Sequence, residues 1–118
     1  MIPPLGLILP CTVLKAHDGD TLTSEIRIVA NVRLIGCWAP ELNQPGGPES
    51  QNHLVNAAVN RNGRLHIPIG ENADNIAKLL TLGRVLGDVW IDGSQESVAT
   101  MQVRTGHASS RKGGPLGE

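Results

Sequence analysis

A mainly β, α+β fold is what this sequence predicts, and three observations predict it. Short β-branched or alternating runs are punctuated by Asp-Gly, Asn-Gly and Gly-rich turns. Only two stretches show firm helical spacing, and 118 residues leave room for a single domain. Hydrophobic residues make up 40% of the chain, yet Trp38 and Trp90 are its only aromatic residues. The core must therefore be filled with Leu, Ile, Val and Ala.

Residues 1–8, apolar but interrupted by Pro3 and Pro4, read as an extended arm. From Cys11 to Ala16 the residues are mostly aliphatic or β-branched, and Asp18-Gly19 follows as a tight-turn signal, so a hairpin is expected. Its return strand runs from Asp20 through Leu22, Glu25 and Arg27 to Val29. Ala30-Asn31 then turns into Val32-Arg33-Leu34-Ile35-Gly36, completing a three-stranded meander. Ala39-Pro40 ends that strand, because proline donates no hydrogen bond and restricts its predecessor.

After a loop over 42–47, Leu54, Val55, Ala58 and Val59 recur at helical spacing, which predicts a helix over 48–61 stopped by Asn62-Gly63. Arg64-Leu65-His66-Ile67-Pro68-Ile69 alternates and reads as a fourth strand, with Pro68 at an edge or bulge. The stretch 71–82 fits either a helical turn around Ile76, Leu79 and Leu80 or a loop over a site. Val85 to Ile91 is the fifth strand, closed by Asp92-Gly93. Ser94 or Gln95 opens a last helix with Val98, Met101 and Thr105 on one stripe and Gly106 at its end. Residues 109–118, with three glycines and a proline, read as a flexible tail. The order of strands and helices matches a five-stranded Greek-key OB barrel with a helix between strands three and four.

A formal charge of −1 gives no global attraction to a polyanion, so affinity for nucleic acid requires a local cluster of Arg and Lys. The shortage of aromatic residues argues against a dedicated single-strand binder. Cys11 and Cys37 are too few for a zinc knuckle or a disulfide framework and read as two small buried hydrophobes. No basic n-region or span of bilayer length stands at the N-terminus, so a soluble, cytoplasmic protein without a membrane partner is expected. Oligomeric state is left open by these features.

Four pieces of the chain, spread in order over 9–108, carry a resemblance. The first is Leu9-Pro10-Cys11-Thr12-Val13-Leu14-Lys15-Ala16-His17-Asp18-Gly19-Asp20-Thr21-Leu22; the second is Val32-Arg33-Leu34-Ile35-Gly36-Cys37-Trp38-Ala39-Pro40-Glu41. The third is Gly47-Pro48-Glu49-Ser50, and the fourth is Gly83-Arg84-Val85-Leu86-Gly87-Asp88-Val89-Trp90-Ile91-Asp92-Gly93 with the helix to Gly106-His107-Ala108. In sequence and spacing they resemble the staphylococcal nuclease (thermonuclease) family. The resemblance implies a Ca2+-dependent phosphodiesterase, a nuclease hydrolysing DNA or RNA on an OB-fold domain. It implies that Asp20 is a metal ligand with Asp18 as a second acidic group, and that Ala39 offers its carbonyl to the metal. Arg33 and Arg84 would hold the phosphate, and Glu41 would lie by the attacking water.

Three departures stand beside it. Trp38 occupies the position, two residues before the proline, where the family's pattern has a ligating aspartate, and an indole coordinates no calcium. Leu82 stands where the family commonly has a tyrosine before its Gly-Arg pair, and lysines are scarce. Calcium tolerates irregular oxygen ligation, so waters can replace a carboxylate at a cost in affinity, and weak metal binding is expected.

Each residue also has a plainer reading. Arg33 and Arg84 could form ion pairs with Asp88 or Glu25, Glu41 could be a loop carboxylate, and Asp18 and Asp20 could serve turn chemistry alone. His17 could be a softer ligand, shifting the preference to another divalent metal, or an ordinary strand residue. His53, His66 and His107 are too scattered for a ligand set. Trp38 is either a hydrophobic plug or a surface on which a base stacks, whereas Trp90 reads as core. If Trp38 ends catalysis, the alternative is an inactive module that binds nucleic acid or protein.

Overall fold

A computed structural model describes residues 8–68, 77–78 and 84–118. Strands β1 (Cys11–Ala16) and β2 (Leu22–Ile26) form the expected antiparallel hairpin, with Cys11 opposite Ile26 and Ala16 opposite Leu22. The register shifts between Val13 and Lys15, so Leu14 is the extra residue of a bulge. At the tip the N–H groups of His17 and Asp18 both donate to the Thr21 carbonyl (2.8 and 3.4 Å). The strand begins later than expected because the Asp20 N–H turns back to Asp18 Oδ1 at 3.2 Å, an Asx-type turn rather than a ladder bond.

The second sheet contains β3 (Asn31–Leu34), β4 (Gly63–His66) and β5 (Arg84–Ile91) in the order β3-β5-β4. Here the predicted meander is corrected: β3 does not continue from β2 but pairs in parallel with β5. Val85 is fully buried and Val32 is its partner across the ladder, so apolar burial favours the long-range pairing. β4 lies antiparallel on the other side of β5, from Gly63 opposite Ile91 to His66 opposite Asp88. It stops at His66, before Pro68, which has no N–H to give. Ile69 and most of the stretch 71–82 lie outside the described residues.

Helix α1 (Gly47–Ala58) starts on Pro48 in its first turn, with Gly46 as a left-handed cap (φ 85°) and Glu49 beside the positive end. It ends before residue 61 because Val59 is already extended and Asn60 adopts φ 63°. Helix α2 (Val98–Arg104) starts later than Ser94, whose N–H closes the Asp92-Gly93 turn onto Ile91. Its cap is Ser97, which accepts from the Thr100 N–H at 3.1 Å; Asp88 Oδ1 accepts from Ala99 N–H at 3.1 Å. Gly106, at φ 82°, ends it as expected.

Among the described residues Cys37, Val85, Val98, Ala99 and Ala108 are the buried apolar ones, and Leu34 and Val103 pack against the Cys37 cluster. Two assignments are corrected. Cys11 is exposed on the hairpin while Cys37 alone is buried, and Trp90 is 38% exposed, edge-on to His66 at 6.3 Å, because its side of β5 faces outward. Residues 109–118 fold back on the body: Ser109 bridges Trp38, Gly117 N–H donates to the Ala108 carbonyl, and Ser110 Oγ donates to the Glu118 carbonyl.

Among the described residues, then, the fold is a small α+β arrangement of five strands in two sheets with two helices, and the strands close no barrel. The hairpin packs chiefly on itself, whereas α2 packs on both β5 and α1. Val13, Leu14, Leu22, Ile26 and Val29 are all more than half exposed on or beside it. With a radius of gyration of 17.9 Å against about 13 Å for a closed domain of this size, the chain is drawn out along one axis. No described helix is long and apolar enough to cross a membrane.

Candidate functional site

Parallel register brings the two arginines together. Asn31 stands opposite Arg84 and Arg33 opposite Leu86, so residues 31 and 33, being two apart, share a face with Arg84 and Leu86. Arg33 and Arg84 are thus diagonal neighbours on one side of the sheet. Both arginines also line a cavity of about 440 Å³, together with Trp38, Glu41, Gln51 and Gln102. Val32, Leu34, Pro40, Leu42 and Leu54 supply its apolar wall, and Ala39 is also at its edge.

Arg33 is held by its own corner. Its Nη1 donates to the carbonyls of Leu34 (2.7 Å) and Cys37 (2.6 Å), and the guanidinium carbon lies 5.5 Å from the centroid of the Trp38 ring. Among the described residues the donors on Nε and Nη2 take no further hydrogen-bond partner. Neither Arg33 nor Arg84 is in an ion pair among the described residues. Asp88, the suggested partner, spends Oδ1 on the N–H groups of Val89 and Ala99.

Trp38 is half-buried, and its backbone N–H and carbonyl form an antiparallel bridge with Ser109 (2.8 and 2.9 Å). The acidic corner follows. Glu41 N–H donates to Gln44 Oε1 at 2.9 Å and Gln44 N–H donates to the Glu41 carbonyl at 2.9 Å, so the turn is made by backbone and by Gln44. The Glu41 carboxylate accepts none of these bonds and is exposed. Gly47 permits the tight return: a Cβ there would collide with the Glu41 carbonyl oxygen.

Asp18 and Asp20 do not reach this cavity. They sit at the exposed hairpin tip, where Thr21 Oγ1 donates to Asp20 Oδ1 at 3.1 Å and hydrogen bonds from Asp20, side chain before backbone, hold the Asp18 carboxyl below its ordinary range. His17 Nε2 is paired with Thr23 Oγ1 at 2.8 Å. The oxygen donors that a hard cation needs are therefore divided between two places, and the residues as arranged do not fit calcium. Among the described residues no three His, Cys, Asp or Glu side chains gather for any metal.

Under the cavity lies a polar core that sequence reasoning missed. Gln102 is 2% exposed; its Nε2 donates to the Ser50 carbonyl at 3.2 Å and its Oε1 pairs with His53 Nδ1. Ser50 Oγ donates to the His107 carbonyl at 2.8 Å, and the rings of His53 and His107 stack at 3.9 Å with 9° between their planes. Partners some fifty residues apart leave no local pattern, and the only signal was a glutamine next to the apolar stripe of α2. Cys37 lies beside this core, and burial pushes its thiol up, against the nearby Arg33 charge.

No family model, curated protein or solved structure matches the chain.

Proposed function

We propose that the cavity is a phosphodiester site and that the chain is a nuclease of the staphylococcal-nuclease kind, hydrolysing DNA or RNA. The observation that carries this reading is the pair Arg33 and Arg84, set on one face of adjacent strands without carboxylate partners among the described residues, with Glu41 lining the same cavity. Two guanidinium groups can share the oxygens of one phosphate, and phosphoryl transfer asks a protein chiefly for such positioning and charge neutralisation. Glu41 would take the proton of the attacking water.

The OB-barrel reading belongs to the same proposal. Among the described residues each sheet has two unpaired edges; joining β2 to β3 and β1 to β4 gives one ring in the order β1-β2-β3-β5-β4. The link over residues 27–30 is of hairpin length, and closure would cover the apolar side chains that the hairpin exposes. It would also move the acidic tip relative to the arginines. A second reading, binding without turnover, is favoured by the separation of Asp18 and Asp20 from the cavity and by Trp38 in place of a carboxylate.

Incubation of labelled single-stranded DNA and RNA with calcium, magnesium or manganese separates the two readings. The nuclease reading predicts cleavage that Arg84→Ala reduces by at least about a hundredfold, the scale of one lost transition-state donor. Cleavage equal in both proteins would be contamination and would refute it; tight binding without cleavage would establish the second reading.

A further inference from the structure

We infer that the cavity is a metal-independent subsite for one nucleotide, in which Arg33 and Arg84 hold the phosphate and the Trp38 indole carries the base. The inference rests on the reading of the cavity as a phosphodiester site and goes beyond it in two respects, the base and the absence of any need for a cation.

Size and charge come first. A volume of about 440 Å³ lies within the range of roughly 300–1,000 Å³ typical of small-molecule sites. Its charged lining residues are Arg33, Arg84 and Glu41, so cations exceed anions in the wall. An anion placed between the guanidinium groups is balanced by the protein itself. The carboxylates that would recruit a cation lie elsewhere, on the hairpin tip, and the residue at the expected second carboxylate is an indole.

Orientation comes next. Arg33 is not a free surface side chain: two carbonyls of the 34–37 turn fix Nη1, so the remaining fork is held at one place at little entropic cost. The same turn fixes Trp38, whose backbone is clamped by the bridge to Ser109. Trp38 is half-buried, its ring is in cation–π contact with Arg33, and the residue lines the same cavity. A rigid cationic donor and a rigid flat ring side by side match a phosphate and a nucleobase, and Leu42, Leu54 and Pro40 offer the apolar surround that a stacked base requires. The Gln51 amide is exposed at the rim, able to meet polar base edges.

The test is calorimetric titration of the whole chain, in EDTA, with adenosine 5′-monophosphate, ribose 5-phosphate and inorganic phosphate. Trp38 fluorescence is followed in parallel in a Trp90→Phe background. The nucleotide is expected to bind at least about tenfold more tightly than ribose 5-phosphate, the scale of one base–aromatic stack, and to quench Trp38 saturably. Trp38→Leu should erase that tenfold difference and Trp38→Phe should keep most of it, while Arg84→Gln should weaken all three ligands. Equal affinity for nucleotide and ribose phosphate would overturn the base subsite and leave the phosphodiester reading standing. Binding that appears only with calcium would overturn metal independence. If none of the three binds with or without metal, both the subsite and the phosphodiester reading fall.

Discussion

Arg33 and Cys37 show how one corner of backbone serves both core and site. The carbonyl of Cys37 anchors Arg33 while its thiol fills the apolar cluster with Ala99 and Ala108, so the arginine is braced by the core. Burial raises the thiol above its ordinary value, and the sign of the resulting pH effect is fixed. In the folded state the proton is held more tightly, so this contribution is fully present below the unfolded thiol value, about 8.5, and is lost as pH rises toward the folded one. Thermal unfolding between about pH 8 and 10 should show the midpoint fall for the native chain and stay flatter for Cys37→Ala; identical pH profiles would be contrary to this account. Alkylation adds a second readout: Cys11 should react at once and Cys37 only on unfolding.

Residue-level signals in the sequence were legible where they were local. Asp18-Gly19 produced its hairpin turn, and Gly106 ended its helix, because one or two side chains decide such features. The cavity residues Arg33, Ala39, Glu41 and Arg84 were found through the motif in which they stand. Gln102, Ser50 and the stacked histidines were not legible, since their chemistry exists only after α1 and α2 pack together.

At the level of elements, the parallel pairing of β3 with β5 matters most, because it sets the arginines side by side. Chain order alone favoured a meander, and the sequence has no short-range mark for a ladder between residues fifty apart. The outward face of Trp90 was misread for a related reason: an aromatic residue in a strand is usually buried, but β5 has its covered side at Val85 and Gly87. Turn geometry offers a sharper test at the start of α1. Gly47→Ala forces a Cβ against the Glu41 carbonyl and should destabilise the fold by about 1–3 kcal/mol in urea titrations while displacing the acidic corner. A stability change within about 0.5 kcal/mol would mean that the corner is looser than described.

Across the whole molecule, the separation of hairpin and sheet is the feature that decides between hydrolysis and simple binding. The exposed apolar side chains of the hairpin, and the sheet edges left unpaired among the described residues, are costs that docking would remove. Small-angle scattering should therefore report a radius below 17.9 Å, moving toward about 13 Å, once a single-stranded oligonucleotide is bound. A Leu22→Lys, Ile26→Lys variant should retain oligonucleotide affinity but lose both the compaction and any cleavage. An unchanged radius, with cleavage intact in that variant, would show that the hairpin has no part in the site.

The central claim is that Arg33 and Arg84 form a phosphate site, and oligonucleotide binding by fluorescence anisotropy tests it most directly. Arg84 is the better probe, since it is exposed and its side chain makes no hydrogen bond among the described residues, so Arg84→Gln should leave thermal stability unchanged. The predicted result is a loss of affinity of about tenfold or more, with a shallower dependence on salt. Affinity and salt slope equal to those of the native chain would contradict the account.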